Sequence, residues 1–145
     1  ALDDAAANDG FNLVTQQTAE WNAEKAQQIV QSVIDAGTPF NVIYAENDDM
    51  AKGAVAALDK ANISHGVGKD VIVMGFDCNK WALEELLNQN WNYDGQCNPF
   101  QASYIDDIIK KLENGETISE KTIIMDEKGF DATTITQEDV DNYGI

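Results

Sequence analysis

Three stretches of this sequence place polar side chains where an apolar, strand-like run gives way to a helix. Tyr44 is followed by Ala45-Glu46-Asn47-Asp48-Asp49-Met50-Ala51-Lys52-Gly53, Met74 by Gly75-Phe76-Asp77-Cys78-Asn79, and the run Phe11-Asn12-Leu13-Val14 leads to Thr18-Ala19-Glu20-Trp21. One polar side chain is enough to cap a helix. Asn47 beside Asp48 offers more than that, leaving an amide or a carboxylate to face a ligand. Asp77 is the first acidic residue after a wholly apolar run, near where the positive N-terminal end of the next helix would lie. An ionised carboxylate there accepts two hydroxyl hydrogen bonds, which suits a vicinal diol. The indole of Trp21, placed just before a helix, has a face that can pack on the C–H face of a sugar ring. Each residue also has an ordinary role to weigh: capping for Asn47 and Asp77, core packing for Trp21.

The elements that must position these residues follow from the apolar pattern. Residues 2–8 read as the tail of a helix stopped by Asp9-Gly10, and residues 11–14 as a strand. Ala26, Ile29, Val30 and Val33 recur at helical spacing within residues 23–36, and Gly37 ends the run. Residues 40–44 are rich in strand formers. Met50, Ala54, Leu58 and Ala61 line one face of a helix over 49–62. Val71-Ile72-Val73-Met74 is unbroken and apolar, the pattern of a strand covered on both faces. A helix over 81–88, a short strand over 92–97 and a helix start near Pro99 complete the series. Strands alternating with helices imply βαβ units, hence an α/β fold, a three-layer α/β/α sandwich with a mainly parallel sheet. Right-handed crossovers bring every strand's carboxyl end to one edge, where ligands of open α/β sheets bind.

Composition excludes several classes. The chain has 145 residues, and 9 Lys+Arg against 26 Asp+Glu give a net charge of −17. Nucleic acid phosphates and anionic membrane surfaces are therefore not expected as partners. Apolar content of 43% argues for a folded core, and the length is that of about one domain. No apolar run reaches the ~18 residues of a membrane-spanning helix. No nucleophile and base stand together, no phosphate loop is present, and a lone His65 cannot supply a triad, so no catalytic residue, cofactor or metal site is assigned and no enzyme activity is expected. His65 reads as a solvated loop residue. The pairs Asp48-Asp49, Glu84-Glu85 and Asp106-Asp107 are adjacent in sequence and read as solvated helix surface, not as a glycosidase dyad. Residues 90–95 imitate a calcium loop, but the twelfth position is Gln101 where a bidentate Glu is needed. Cys78 and Cys97 each follow a strand near the same sheet edge, which leaves a disulfide and two separate thiols equally open. The sequence begins at Ala1 without an initiator Met or a signal peptide, the expectation for a processed product or an excised piece.

Taken together, the motifs resemble the C-terminal lobe of type I periplasmic sugar-binding proteins, in the ribose- and galactose-binding branch of ABC transporter solute-binding subunits. Ala45-Glu46-Asn47-Asp48-Asp49-Met50-Ala51-Lys52-Gly53-Ala54 resembles that family's "A-x-N-D-x-M-A-x-G-A", and Asp70-Val71-Ile72-Val73-Met74-Gly75-Phe76-Asp77 its "D-V-x-V-x-G-F-D". Asn98-Pro99 matches the end of its "Q-N-P" hinge strand, and residues 135–140 its closing tail. The resemblance implies ring stacking by Trp21 and hydroxyl hydrogen bonds from Asn47 and Asp77. A fourth polar contact precedes Asn-Pro in the family, commonly a Gln. Here Cys97 holds that position and Gln96 stands one residue earlier, so either Gln96 substitutes or a contact is lost.

The same resemblance implies a division of the chain. Residues 1–97 form the lobe core. Residues 98–125 cross the hinge and give a helix (100–112) and a strand (121–125) to a missing N-terminal lobe, and residues 126–145 return as a strand and tail. The implied function is an extracytoplasmic receptor, in a periplasm or as a cell-surface lipoprotein, that captures a monosaccharide or small polyol by hinge closure and presents it to a membrane permease. The stripe Phe100, Tyr104, Ile105, Ile108, Ile109 and Leu112 would lose its partner without the other lobe. Homodimerisation or segment exchange through it, or folding back, is then expected. The alternative is the effector-binding lobe of a LacI-type repressor, which shares both motifs. Residues 90–95 stand where those repressors carry a Pro-containing segment.

Overall fold

The computed structural model describes residues 10–145, so the helix tail expected over residues 2–8 lies outside the described residues. Five helices and four strands follow: α1 (Ala23–Asp35), β1 (Val42–Tyr44), α2 (Asp48–Lys60), β2 (Ile72–Asp77), α3 (Lys80–Leu87), β3 (Tyr93–Gln96), α4 (Ala102–Glu113), β4 (Gly129–Asp131) and α5 (Gln137–Tyr143). The helix starts are set by local chemistry. Asn22 caps α1 by accepting from the Lys25 N–H, Asn47 caps α2 through the Met50 N–H, and Thr136 with Asp139 forms a reciprocal capping box on α5.

The strands form one sheet in the order β1-β2-β3-β4. β1, β2 and β3 are parallel, with Tyr44 opposite Met74, Met74 opposite Tyr93 and Asp77 opposite Gln96. β4 returns antiparallel to β3, with Phe130 opposite Asp94. The chain is thus α/β with a mainly parallel sheet, as its alternating pattern requires. Since the parallel strands follow one another in order, right-handed crossovers put α2 and α3 on the same face. Beneath them Leu58, Val71, Val73, Leu83, Leu86, Trp91 and Val140 are fully buried. α1 packs on α2 so closely that a Cβ on Gly53 would lie 2.0 Å from the Ala23 carbonyl oxygen, which is why the helix pair has a glycine there. On the opposite face Val42, Tyr44 and Ile72 are exposed. A row of rings crosses it, Tyr44 to Phe76 at 5.2 Å and Phe76 to Tyr93 at 6.4 Å between centroids.

Two expected strands do not form among the described residues, and for residues 121–125 the expected pairing is with a second lobe. Residues 11–14 make no ladder. They lie across a groove of about 720 Å³ from β1, with residues 15–21 and the apolar side of α1 completing its walls. Residues 121–125 are likewise unpaired, with Ile123 and Ile124 exposed. In both cases strand-forming side chains are present but no neighbouring backbone pairs with them, and a strand exists only through such pairing. α4 begins at Ala102 and carries no buried residue; Phe100, Tyr104, Ile105, Ile109 and Leu112 are exposed and Ile108 is half-buried. Among the described residues no helix is long and apolar enough to cross a membrane.

Candidate ligand-binding site

The carboxyl edge of the three parallel strands gathers the polar residues. Asn47 follows β1, Asp77 is the last residue of β2 and Gln96 the last of β3, and Asp77 and Gln96 are register partners on adjacent strands. Asn47 Oδ1 accepts the Met50 N–H at 2.9 Å, so the helix cap uses only its oxygen. Its Nδ2 has no hydrogen-bond partner among the described residues and is left to donate to a ligand. Gln96 is held in place by the returning chain. Its N–H donates to the Lys128 carbonyl at 2.8 Å, and its Oε1 accepts the Lys128 N–H at 3.3 Å. Cys97 is exposed at the exit of β3, and the next residue is tied down by the Asn98 N–H donating to Glu127 Oε1 at 2.8 Å.

Asp77 is half-buried and has φ 124°, in the region that L-residues rarely adopt; Cys78 follows at 63°. Burial raises the Asp77 carboxyl above the ordinary aspartate range and the charge of Asp49 adds to that, while the Asp48 backbone N–H opposes it. Trp21 enters the structure differently. It precedes α1 with φ 58°, and 66% of it is exposed. It is therefore not a core residue, and its ring shares the groove with Tyr44 and Glu46 at the β1 exit. Thus Asn47, Asp77 and Gln96 stand on neighbouring strand ends, and Trp21 stands beyond the outermost one.

The structure corrects two readings of individual residues and accounts for a third, the calcium-like segment read as no calcium site. Asp48 is not helix surface; it is fully buried, with Oδ2 accepting the Asn79 N–H at 2.8 Å and Nδ2 at 3.1 Å. Its neighbour Asp49 remains exposed, because successive helical residues point about 100° apart. His65 is not solvated. Its side chain is 13% exposed, with Nδ1 2.9 Å from the Asn90 carbonyl oxygen and Nε2 3.1 Å from Asp59 Oδ1. Gly66 makes this possible, since a Cβ there would lie 2.3 Å from the Gln89 carbonyl oxygen. The calcium-like segment is a helix-to-strand connection. Asn90 Nδ2 donates to Glu85 Oε2 at 2.7 Å, Asn92 Oδ1 accepts the Val73 N–H at 2.9 Å and Asp94 is fully buried in β3. Cys78 is buried and Cys97 exposed, and both are free thiols.

Sequence reading missed Asp94 and the Tyr44–Phe76–Tyr93 row. The row could have been found from one aromatic residue in or beside each of the three strand-like runs, Tyr44, Phe76 and Tyr93. Asp94 gave no such signal, because its burial depends on α2 and the β2–α3 turn closing over it.

Residues 1–116 match the family model described as periplasmic binding protein domain, and the chain belongs to that family. It is 30% identical over 132 residues to the fructose import binding protein of Bifidobacterium longum, an alignment covering 90% of this chain and 38% of the relative. To the ribose import binding protein of Bacillus subtilis it is 31% identical over 83 residues, 57% of this chain and 25% of the relative. An ABC transporter periplasmic solute-binding protein from Actinobacillus succinogenes, solved with bound D-allose, superposes with a TM-score of 0.79 at 27% identity, covering 99% of this chain and 48% of that one. The Caulobacter myo-inositol binding protein, solved with myo-inositol, gives 0.74 at 26% identity over 97% and 46%. The chain therefore spans less than half the length of each of these relatives.

Proposed function

We propose that this chain is the C-terminal lobe of an extracytoplasmic solute-binding component of an ABC sugar transporter, taking a monosaccharide or small polyol. The observation that carries the reading is the polar edge: a free amide on Asn47, the Asp77 carboxylate and the Gln96 amide at the ends of three adjacent parallel strands, in a chain of the periplasmic binding protein family. Asn47 and Asp77 read hydroxyl positions, Gln96 adds a third polar contact beside Cys97, and Trp21 covers the apolar face of the ring. The relatives named above are import and solute-binding proteins, which favours this reading over a repressor's effector lobe and over an enzyme.

Residues 1–97 form the sugar-reading lobe in this proposal, residues 98–125 cross to a second lobe, and residues 126–145 return. Hinge closure then follows from a ligand bridging the lobes and favouring the closed arrangement, which a permease recognises. One lobe supplies only part of the contacts. Calorimetric titration of this chain with D-ribose, D-fructose, D-allose and myo-inositol is expected to show binding weaker than micromolar for the best of them. Micromolar affinity would contradict a half-site.

The apolar stripe that runs from Phe100 into α4 is the second element of the proposal. Phe100, Tyr104, Ile105, Ile109 and Leu112 are exposed together, and burying side chains of this kind is worth roughly 1.5–3 kcal/mol each. In the two-lobe protein they pack on the second lobe. For this chain alone, sedimentation velocity is expected to show concentration-dependent dimerisation that Ile105→Lys with Ile109→Lys abolishes. A strict monomer at all concentrations would contradict it.

A further inference from the structure

Under the proposed binding edge lie two carboxyl groups that water does not reach. Asp48 opens α2 and Asp94 sits within β3; both are fully buried. Asp94 is the register partner of Gly75, and a Cβ on Gly75 would lie 2.5 Å from Asp48 Oδ1, so the Asp48 carboxyl lies over the strand pair beside Asp94. Asp48 Oδ1 and Asp94 Oδ2 have no donor among the described residues. Their other oxygens are engaged by one turn. Asp48 Oδ2 accepts the backbone N–H and the Nδ2 of Asn79, and Asp94 Oδ1 faces the Cys78 thiol at 3.8 Å. That turn, Asp77-Cys78-Asn79, contains the two consecutive left-handed residues at φ 124° and 63°. Non-glycine residues persist there only when their surroundings hold them. The Ile145 N–H, donating to the Cys78 carbonyl at 3.1 Å, is a further brace.

Two ionised carboxylates cannot satisfy each other, since both only accept. A single proton between them turns one bare oxygen into a donor and leaves the other as its acceptor. We propose that Asp48 and Asp94 share one proton and act as a positioning pair that holds the Asp77 turn in its strained conformation, releasing it when the proton is lost at alkaline pH. The consequence for a ligand rests on the reading of Asp77 given above; the proton and the turn do not.

The titratable groups facing the pair are Asp77 and Cys78, both from the β2–α3 turn. Neither carboxyl forms an ion pair among the described residues, so no cation there offsets the charge. Burial, then the charge of Asp48, raise Asp94 to about 9, and burial raises Asp48 to about 6. In the unfolded chain both lose their protons near pH 4. Between these limits the folded chain binds more protons than the unfolded one, so this pair makes stability fall as pH rises from about 4 to about 9.

Urea unfolding of wild type and Asp94→Asn across this range tests the proposal. The wild-type midpoint is expected to fall with rising pH. The side-chain amide that Asp94→Asn introduces does not titrate and donates an N–H to Asp48, so the variant has no shared proton to lose and its midpoint falls less steeply over this range than that of the wild type. Infrared spectra of the wild type at neutral pH should show a protonated carboxyl stretch that disappears at alkaline pH and is missing from Asp94→Asn. Exchange of the Asn79 amide, corrected for its intrinsic rate, should accelerate as that stretch is lost. Equal pH slopes for the two proteins, or no protonated carboxyl at neutral pH, would overturn the proposal. If the variant does not fold, the wild-type spectra and Asn79 exchange still decide it. None of these readouts needs a sugar, so a failure of the sugar reading would appear separately, as absent binding with the shared proton intact.

Discussion

Trp91→Ala is expected to destabilise the chain by about 3–5 kcal/mol, the range for truncating a large aromatic in a closed core. Trp91 is 2% exposed. Its ring meets Trp81 edge-on, with centroids 5.8 Å apart and planes at 86°, and a Cβ on Gly75 would lie 2.9 Å from its Cζ3. The space it fills is thus closed by an aromatic edge on one side and by the backbone of β2 on another, so little collapse can follow truncation. At about 2–4 °C per kcal/mol for a chain of this size, thermal unfolding should move down by roughly 6–20 °C. Trp81 is half-buried, with Lys52 Nζ 4.6 Å from its ring centroid, and its truncation should cost distinctly less. Calorimetric melting of both variants checks the difference; a Trp91→Ala loss below about 1 kcal/mol would show that the core under β2 and β3 is not closed as described.

Asn47→Asp should separate folding from binding. The carboxylate can still accept the Met50 N–H, and a negative charge at a helix N-terminus is favourable, so the α2 cap survives. What disappears is the Nδ2 donor, replaced by a group that only accepts. The variant also adds a charge beside Asp48 and Asp49 at the start of α2. Unfolding should change little, whereas sugar affinity should drop by about 1–3 kcal/mol, roughly five- to 150-fold, as expected when a ligand oxygen loses its donor. Asn47→Ala loses cap and donor together and should damage both. An Asp variant that binds as well as wild type would remove Asn47 from the site.

Much of the scaffold was legible because it is governed by local periodicity. The helical spacing of Ala26, Ile29, Val30 and Val33, the unbroken run 71–74 and the polar residues after each strand all report a chain alternating between strand and helix. The expected strand over 92–97 forms at Tyr93–Gln96, although its four residues include a glycine and two polar side chains. What could not be read depends on contacts between distant segments. Residues 11–14 and 121–125 have strand chemistry, but strand formation is decided by whether another backbone lies alongside. Asp48 and Asp49 look alike in sequence, and only the closure of Asn79 and Asp94 over one of them makes Asp48 an interior group. His65 was hidden for the same reason: its neighbours, Asp59 and Asn90, come from opposite directions along the chain.

The polar edge itself rests on three strand ends lying side by side, and each contributes a residue that one local role does not exhaust. Asn47 has a cap and an amide nitrogen with no partner among the described residues, Asp77 ends a strand in a strained turn, and Gln96 bonds the returning chain through its oxygen while its amide nitrogen has no partner among the described residues. Shape alone does not make this a sugar site, since one fold can carry many functions. The site's own chemistry must answer a ligand.

Amide chemical-shift mapping during titration with D-ribose, D-fructose, D-allose and myo-inositol is the most direct measurement. At least one of these ligands should shift residues 45–49, 76–79 and 95–97 together with the Trp21 indole N–H, and Asn47→Asp should suppress the response. Shifts confined to the α4 stripe or scattered over the surface, or none at saturating ligand, would contradict the assignment of this edge.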